Sequence, residues 1–250
     1  MIKGIVLNLT GYILSILKRQ HAADILEVLL RCYIHKKSPS EALRFLFDLD
    51  ARLYNLQGNM SVAYGKGIHS KHRHTRYHDF FANMIQDGER VLDIGCGNGA
   101  VAYDIAKKRK ALITGIDQNR NNIDIAKRNH QHPQIEYICG NALTALPDQT
   151  FDVVILSNVL EHLPERSIFL KKLNTVTQPK KILIRVPLFE RDWRVPLKKE
   201  LGVEWRLDKN HKIEYTTEEF LEEISKAGLT LTHKEIHWGE LWAEVKAYEP

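Results

Sequence analysis

The segment VLDIGCGNGA, residues 91–100, constrains the fold more than any other part of the chain. A short apolar run leads directly into Gly95, Gly97 and Gly99, and a helical pattern follows them. Glycines lack a Cβ atom, so a ligand can lie against the backbone, and the N-terminus of the next helix offers free N–H groups. The pattern predicts a strand, a ligand-binding turn and a helix.

A second apolar run, LITGID, ends in Asp117, about 20 residues after the first glycine of the turn, which is the spacing of a carboxylate that binds a ribose diol. The turn also reads as GxGxxA, which fits a nicotinamide dinucleotide. Asp93 and Gly99 favour a different ligand, because a carboxylate beside the turn attracts a cationic sulfonium compound and repels a pyrophosphate. The two segments together predict a nucleoside-containing cofactor.

Beyond residue 90, short apolar runs alternate with helical patterns. The predicted strands are 91–94, 112–116, 135–138, 153–156 and 182–186, and the predicted helices lie near 99–109, 119–130 and 165–175. This alternation predicts a parallel sheet covered by helices on both faces. After a helix capped by Thr216 and Glu219 and ended by Gly228, two alternating runs around Gly239 predict an antiparallel hairpin.

Residues 1–87 contain helical patterns only. Ser38 and Glu41 form a capping box that starts a helix, which we expect to end at Gly58. Residues 60–74 are rich in glycine and histidine and predict a loop, and residues 77–85 predict a further helix.

The apolar run 1–17 is shorter than the roughly 20 residues of a transmembrane helix, and polar residues interrupt it. It predicts a core or partner-facing helix, with a helix lying on a membrane surface as the alternative. The chain has 44% hydrophobic and 27% charged residues and a net charge of +5, which excludes a disordered chain. Its three widely spaced cysteines form no CxxC pair, so we predict a cytoplasmic protein with neither disulfides nor a metal site.

These motifs resemble those of the class I S-adenosylmethionine-dependent methyltransferases, particularly the type 11 branch, over residues 70–248. VLDIGCGNG is similar to the family's first motif, GIDQN to its second, CGNA followed by LP to its third, and FDVVILSNVLEHL to its fourth. The resemblance implies S-adenosylmethionine as cofactor. It also implies an α/β fold with a doubly wound, seven-stranded, Rossmann-like sheet that is mostly parallel. We predict a helical extension or lid, residues 1–87, and a methyltransferase domain, residues 88–250.

In this resemblance Asp117 matches the ribose-binding acid, and Asn141 stands where the family usually has an aspartate beside the adenine. The predicted cofactor-binding residues are Asp93, Gly95, Cys96, Gly97, Asn98, Gly99, Asp117, Gln118, Asn141, Ala142, Ser157 and Asn158. His162 is the predicted catalytic base, because an imidazole titrates near neutral pH. The alternative is that His162 only packs beside the cofactor and is not a base. Holding the acceptor in line with the methyl group supplies most of the rate acceleration, so a dedicated base is not required.

Two further segments are predicted to contact the acceptor. Residues 69–78 are basic and aromatic and predict a lid over the cofactor. Residues 188–215 form a long connection with tryptophans and arginines, typical of sugar or anion binding, with dimerisation or lid packing as the alternative. The predicted contacts are Tyr64, His69, His72, His74, Arg191, Trp193, His211 and Tyr215.

We therefore predict a methyltransferase acting on a small-molecule acceptor, first of all an oxygen of a sugar or glycan intermediate. A lipid or quinone at the membrane surface is the alternative, with peripheral contact through the N-terminal helix. No nucleic-acid partner is expected, because the charge is modest and the fourth strand ends in SNVL. An NAD(P)-dependent oxidoreductase and a catalytically silent cofactor-binding module remain as other function classes, and the oligomeric state is left open.

Overall fold

Seven strands build one central sheet in the computed structural model. They are β1 (Arg90–Ile94), β2 (Leu112–Asp117), β3 (Ile135–Cys139), β4 (Val153–Ser157), β5 (Lys181–Pro187), β6 (Leu229–His237) and β7 (Glu240–Ala247). Their order is β3-β2-β1-β4-β5-β7-β6; the first five strands are parallel, and β7 is antiparallel to β5 and β6. The predicted doubly wound sheet and its C-terminal hairpin are confirmed.

Nine named helices accompany the sheet in the part of the chain that the structure describes, which is residues 11, 12 and 14–248. They are α1 (Arg19–Ile34), α2 (Pro39–Tyr64), α3 (Lys71–Thr75), α4 (Tyr77–Asn83), α5 (Ala100–Lys108), α6 (Arg120–Asn129), α7 (Arg166–Thr177), α8 (Arg194–Glu200) and α9 (Thr217–Lys226). Most of the apolar run at residues 1–17, with its predicted helix, lies outside the described residues. Among the helices described, none is both long and apolar enough to cross a membrane.

The helix α2 is longer than the sequence predicts. Its start is as expected, because the Ser38 hydroxyl accepts from the Glu41 N–H and the Glu41 carboxylate accepts from the Ser38 N–H. The predicted end at Gly58 is wrong, since the helix continues to Tyr64. Residues 60–74 hold the end of α2, a connection at 65–70 and most of α3, so only part of the predicted loop is non-helical. A glycine inside a helix lowers its stability by only about 1 kcal/mol, and the neighbouring turns of the same helix offset this loss.

The two faces of the sheet are buried by different helices. Alternate strand residues such as Leu92 and Leu156 pack with α7 and α9 on one face. On the other face, Val91 and Ile155 pack with α4, α5 and α6. Phe81 of α4 has no exposed surface, so this helix, which the sequence analysis placed with the N-terminal extension, belongs to the core of the sheet.

The turn between β1 and α5 requires its glycines. Gly95, Gly97 and Gly99 all have positive φ, of 69°, 56° and 81°. A Cβ atom on Gly95 would lie 2.7 Å from Val159 Cγ2, and one on Gly99 would lie 2.7 Å from Tyr137 Cζ. Conformation and close approach therefore both exclude a side chain at two of the three positions.

We expect Gly99→Ala to lower the free energy of unfolding by about 2–4 kcal/mol, because it adds backbone strain and an overlap with the Tyr137 ring. Gly88→Ala is the matched control: its φ is +86°, and a Cβ atom there meets nothing within 4 Å. It should cost only about 1 kcal/mol. Urea unfolding of both variants measures the difference, and equal losses would contradict the overlap with Tyr137.

Candidate active site

Two adjoining cavities open at the carboxyl ends of the parallel strands. The Asp117 cavity, about 580 Å³, is lined by residues that follow β2, β3 and β4. The Asp93 cavity, about 880 Å³, lies between β1 and α3. Gly95 and Asn158 line both. The strand order reverses between β1 and β4, and this is the point where doubly wound sheets bind ligands.

Asp117 lies at the end of β2 and holds the glycine turn. One carboxylate oxygen accepts from the Gly97 N–H at 3.0 Å, and the other accepts from the Asn119 N–H at 2.8 Å. Asn119 in turn caps α6 by accepting from the Asn121 N–H. The acid is thus fixed in orientation and remains half-exposed to the cavity.

The rest of the Asp117 cavity comes from three segments. Gln118 follows β2, Asn141 and Ala142 follow β3, and the Asn141 amide oxygen accepts from the Leu143 N–H at 2.9 Å. Asn210 and Lys212 also line this cavity, which the sequence analysis did not predict. They belong to the long connection between β5 and α9.

Asp93 is a buried carboxylate at the edge of the other cavity. Its side chain is 1% exposed, and its Oδ2 has no hydrogen-bond partner within the described residues. Burial, and secondarily the neighbouring Asp117, raise the pKa of Asp93 to about 7. A cation in this cavity would stabilise the ionised form.

The remaining predicted cofactor residues lie around the same point. Cys96, Asn98 and Ser157 line the Asp93 cavity, whereas Gly97 and Gly99 shape the turn without lining either cavity. Asn158 has a positive φ of 57°, and its N–H donates to the Arg185 carbonyl at 2.8 Å.

Arg185 was missed by the sequence analysis. It is the buried charged residue of strand β5, and such a residue in an apolar run was the available signal. Its guanidinium carbon lies 3.8 Å from the centroid of the Tyr77 ring, and its Nε donates to Glu240 Oε2 at 2.7 Å. Arg185 therefore joins α4 to β7 at the wall of the Asp93 cavity.

Residues of the segment predicted to be a basic lid line that wall. His69 and His72 line the cavity, together with Lys71, Arg73 and Arg76. His72 Nδ1 lies 2.8 Å from the Tyr77 hydroxyl. Burial, followed by the nearby His78, lowers the pKa of His72 to about 4, so its ring is neutral at pH 7.

Six predicted acceptor contacts line neither cavity, and one of them is His211, which is buried beside His162. Tyr64 and Trp193 are exposed on other surfaces, and His74 lines neither cavity. For Tyr215 the prediction is wrong, because the side chain has no exposed surface. The Arg191 guanidinium is occupied within its own segment, where it donates to the Glu214 carboxylate and to the Trp205 carbonyl.

Most of residues 188–215 lie away from the cavities because the two ends of this segment pair with each other. Leu188 bridges to Tyr215, and the Phe189 N–H donates to the Tyr215 carbonyl at 2.8 Å. Phe189 also packs edge-on against Trp205. The aromatic and basic residues of the segment therefore mostly stabilise the loop, and of its residues only Asn210 and Lys212 line one of the two cavities.

His162 lies on the short 3-10 turn after β4 and lines the Asp117 cavity. Burial, and then the neighbouring His211, lower the pKa of His162. The His211 ring is centred 4.7 Å from the His162 ring. Glu161, beside them, is completely buried, and burial raises its pKa to about 8.

Comparison with known proteins agrees with this geometry. A family model described as a methyltransferase domain matches residues 92–184, which contain most of β1, all of β2 to β4 and most of β5. This part of the chain is therefore similar to the methyltransferase-domain family.

Two curated relatives of the methyltransferase domain are O-methyltransferases. The ubiquinone biosynthesis O-methyltransferase of Bradyrhizobium diazoefficiens is 32% identical over 109 residues, 43% of this chain and 42% of the relative. The fatty-acid O-methyltransferase of Mycolicibacterium smegmatis is 33% identical over 105 residues, 41% of this chain and 38% of the relative. The chain thus spans about two fifths of the length of these relatives.

Among solved structures, magnesium protoporphyrin IX methyltransferase from Synechocystis PCC 6803 superposes with a TM-score of 0.57. The sequence identity is 16%, and the match covers 70% of this chain and 84% of the other. This likeness concerns the fold of the methyltransferase domain.

We expect the Arg185–Glu240 ion pair to stabilise the wall of the Asp93 cavity. We expect Glu240→Ala to lower the free energy of unfolding by about 3–5 kcal/mol, because it leaves a buried guanidinium without its anion. The exposed pair of Arg31 and Glu27 on α1 is the control, and Glu27→Ala should cost less than about 1 kcal/mol. Denaturant unfolding compares the two, and a small loss for Glu240→Ala would contradict the assigned role.

Proposed function

We propose that this protein transfers a methyl group from S-adenosylmethionine to an oxygen atom of a small-molecule acceptor. The observation that carries the proposal is the meeting of two cavities at Gly95 and Asn158, with Asp117 on one side and Asp93 on the other. One cavity suits a nucleoside and the other suits a cationic amino-acid end with an acceptor beside it.

In this proposal each side of the crevice has a separate task. Asp117, held by the Gly97 and Asn119 N–H groups, binds the ribose hydroxyls, and Asn141 lies beside the adenine. Asp93 provides negative charge for the sulfonium and ammonium groups. When bound, the cofactor supplies an activated methyl group with a neutral thioether as its leaving group.

The acceptor then needs chiefly to be held in line with that methyl group. The methyl carbon bonds to the acceptor oxygen as its bond to sulfur breaks, and the hydroxyl proton passes to a base or to water. His162 beside the Asp117 cavity is the base predicted from sequence, and the neutral His72 in the Asp93 cavity is a second candidate. A neutral imidazole is the form that can accept a proton.

A sugar or glycan oxygen remains the first acceptor prediction. Lys71, Arg73 and Arg76 line the Asp93 cavity, and this supports an acceptor that carries anionic or polar groups. The lipid or quinone alternative is supported by the exposed apolar residues of α1, such as Ile25, Leu29 and Tyr33. The names of the quinone and fatty-acid relatives support it as well.

Transfer of labelled methyl groups into a fractionated native extract tests the proposal. We expect label in the polar small-molecule or lipid fraction. Asp117→Ala should weaken binding of S-adenosylhomocysteine about a hundredfold in calorimetry and abolish the transfer, because charge-assisted hydrogen bonds to the ribose are lost. Asp124→Ala, which removes an exposed carboxylate from α6, is the control and should change neither.

Each contrary result has a definite meaning. Label in RNA or protein would reject the small-molecule acceptor. Binding of S-adenosylhomocysteine without transfer to any fraction would indicate a catalytically silent module. If NAD(P)H raises the melting temperature and S-adenosylhomocysteine does not, S-adenosylmethionine is rejected as the cofactor.

Cofactor affinity should also depend on pH through Asp93. The pKa near 7 in the free protein means that the carboxyl is neutral at pH 6 and ionised at pH 8. A cationic cofactor binds the ionised form, so affinity should rise about tenfold from pH 6 to pH 8. Calorimetry with S-adenosylmethionine measures this, and Asp93→Asn should bind more weakly with a flat profile. A flat profile in the unmodified protein would reject the role of Asp93.

A further inference from the structure

Three side chains beside the Asp117 cavity converge on one point. Glu161 and His162 lie on the 3-10 turn after β4, and His211 lies on the connection between β5 and α9. One carboxylate oxygen and one nitrogen from each ring all lie within 4.8 Å of one another. Within the described residues, no other group of three histidine, cysteine or acidic side chains has this geometry.

The backbone fixes this arrangement. The Glu161 carbonyl accepts from the Lys212 N–H at 2.6 Å, which ties the connection to the turn beside His211. The His162 and His211 rings meet edge to face at 75°. The three groups are thus brought together by main-chain contacts and do not depend on the rotamers of long, exposed side chains.

Glu161 has an unsatisfied carboxylate. The residue is completely buried, and neither oxygen has a hydrogen-bond partner within the described part of the chain. The nearby guanidinium of Arg185 is paired with Glu240, and that of Arg191 is paired with Glu214. Protonation would remove the charge but create an O–H donor that also lacks a partner, whereas a bound cation would satisfy the group.

His211 is oriented as metal-binding histidines are. Its Nδ1 lies 2.9 Å from Glu214 Oε1, which leaves Nε2 available as a ligand atom. Glu214 is itself fixed, because it accepts from the Leu207 N–H at 2.5 Å and pairs with Arg191. When the ring nitrogen that does not bind the metal donates a hydrogen bond to a carboxylate, the tautomer of the ring is fixed. The basicity of the metal-binding nitrogen also rises.

We propose that Glu161, His162 and His211 bind one divalent transition-metal ion. A metal-bound His162 has no free lone pair for the proton of the acceptor, so His72 is then the remaining candidate base. Two imidazoles and a carboxylate suit Zn²⁺, Mn²⁺ or Fe²⁺ better than Mg²⁺ or Ca²⁺, which prefer oxygen ligands throughout. Three protein ligands leave at least one coordination position open. His162 lines the Asp117 cavity, so the ion lies at the wall of the cavity that the proposed function assigns to the nucleoside, and this metal site does not depend on where the acceptor binds.

The test uses the full chain after treatment with EDTA and dialysis. Zn²⁺, Mn²⁺ and Co²⁺ are each titrated by calorimetry, and visible absorption reports the ligand field of Co²⁺. We expect one ion per chain. Glu161→Gln and His211→Ala should each weaken binding by about a hundredfold or more, since each removes a ligand.

A matched control lies on the edge strand β6. Glu235 lies 2.8 Å from a nitrogen of His233 and 2.9 Å from one of His237, so it offers a second histidine–glutamate–histidine set that is far more exposed. Glu235→Gln should leave metal affinity unchanged. Thermal unfolding of the metal-free variants checks folding, and Glu161→Gln should be at least as stable as the unmodified chain because it removes a buried carboxylate.

The proposal is overturned if the folded chain binds no ion stoichiometrically, if Glu161→Gln binds as well as the unmodified chain, or if Glu235→Gln weakens binding equally. Binding of S-adenosylhomocysteine is measured on the same samples. Cofactor binding without any metal binding rejects the metal site alone. Metal binding without cofactor binding supports the site and counts against the proposed function.

Discussion

The bonds from Asp117 to the glycine turn are the contacts on which the candidate site depends. A carboxylate at the end of β2 accepts from the Gly97 N–H and so joins two strands at their carboxyl ends. The turn can approach so closely only because Gly95 and Gly99 have no side chains toward Val159 and Tyr137. One interaction thus fixes the backbone against which a ligand can lie and the acid that faces it.

Around this point the protein keeps buried ionisable groups that do not stabilise the fold by themselves. Asp93 and Glu161 are almost completely buried, and burial raises the pKa of both. Arg185 is buried too, but it has Glu240 and the Tyr77 ring as partners. Unpaired buried carboxylates are costly, so their clustering along one crevice is typical of a site that binds cations.

Local patterns predicted most of the scaffold correctly. The capping boxes at Ser38 and Thr216 are both present, and the hairpin around Gly239 is where alternation placed it. The sequence placed the end of α2 at Gly58, but the helix continues to Tyr64. A single glycine is a weak stop signal, because the helical residues on either side of it can offset its cost. Tyr215 was misassigned because the length and composition of a connection cannot distinguish an aromatic residue of the core from one of a binding surface.

By itself, the sequence determined the strand–turn–helix at residues 91–100, the acid at Asp117 and the order of strands and helices, because these depend on neighbours along the chain. The tertiary structure decided which distant residues share a surface. It brings His211 to Glu161 through a main-chain bond from Lys212, and it pairs Arg185 with Glu240 across two strands. Such contacts follow from how the connection between β5 and α9 closes over the sheet, and no spacing within a short motif encodes them.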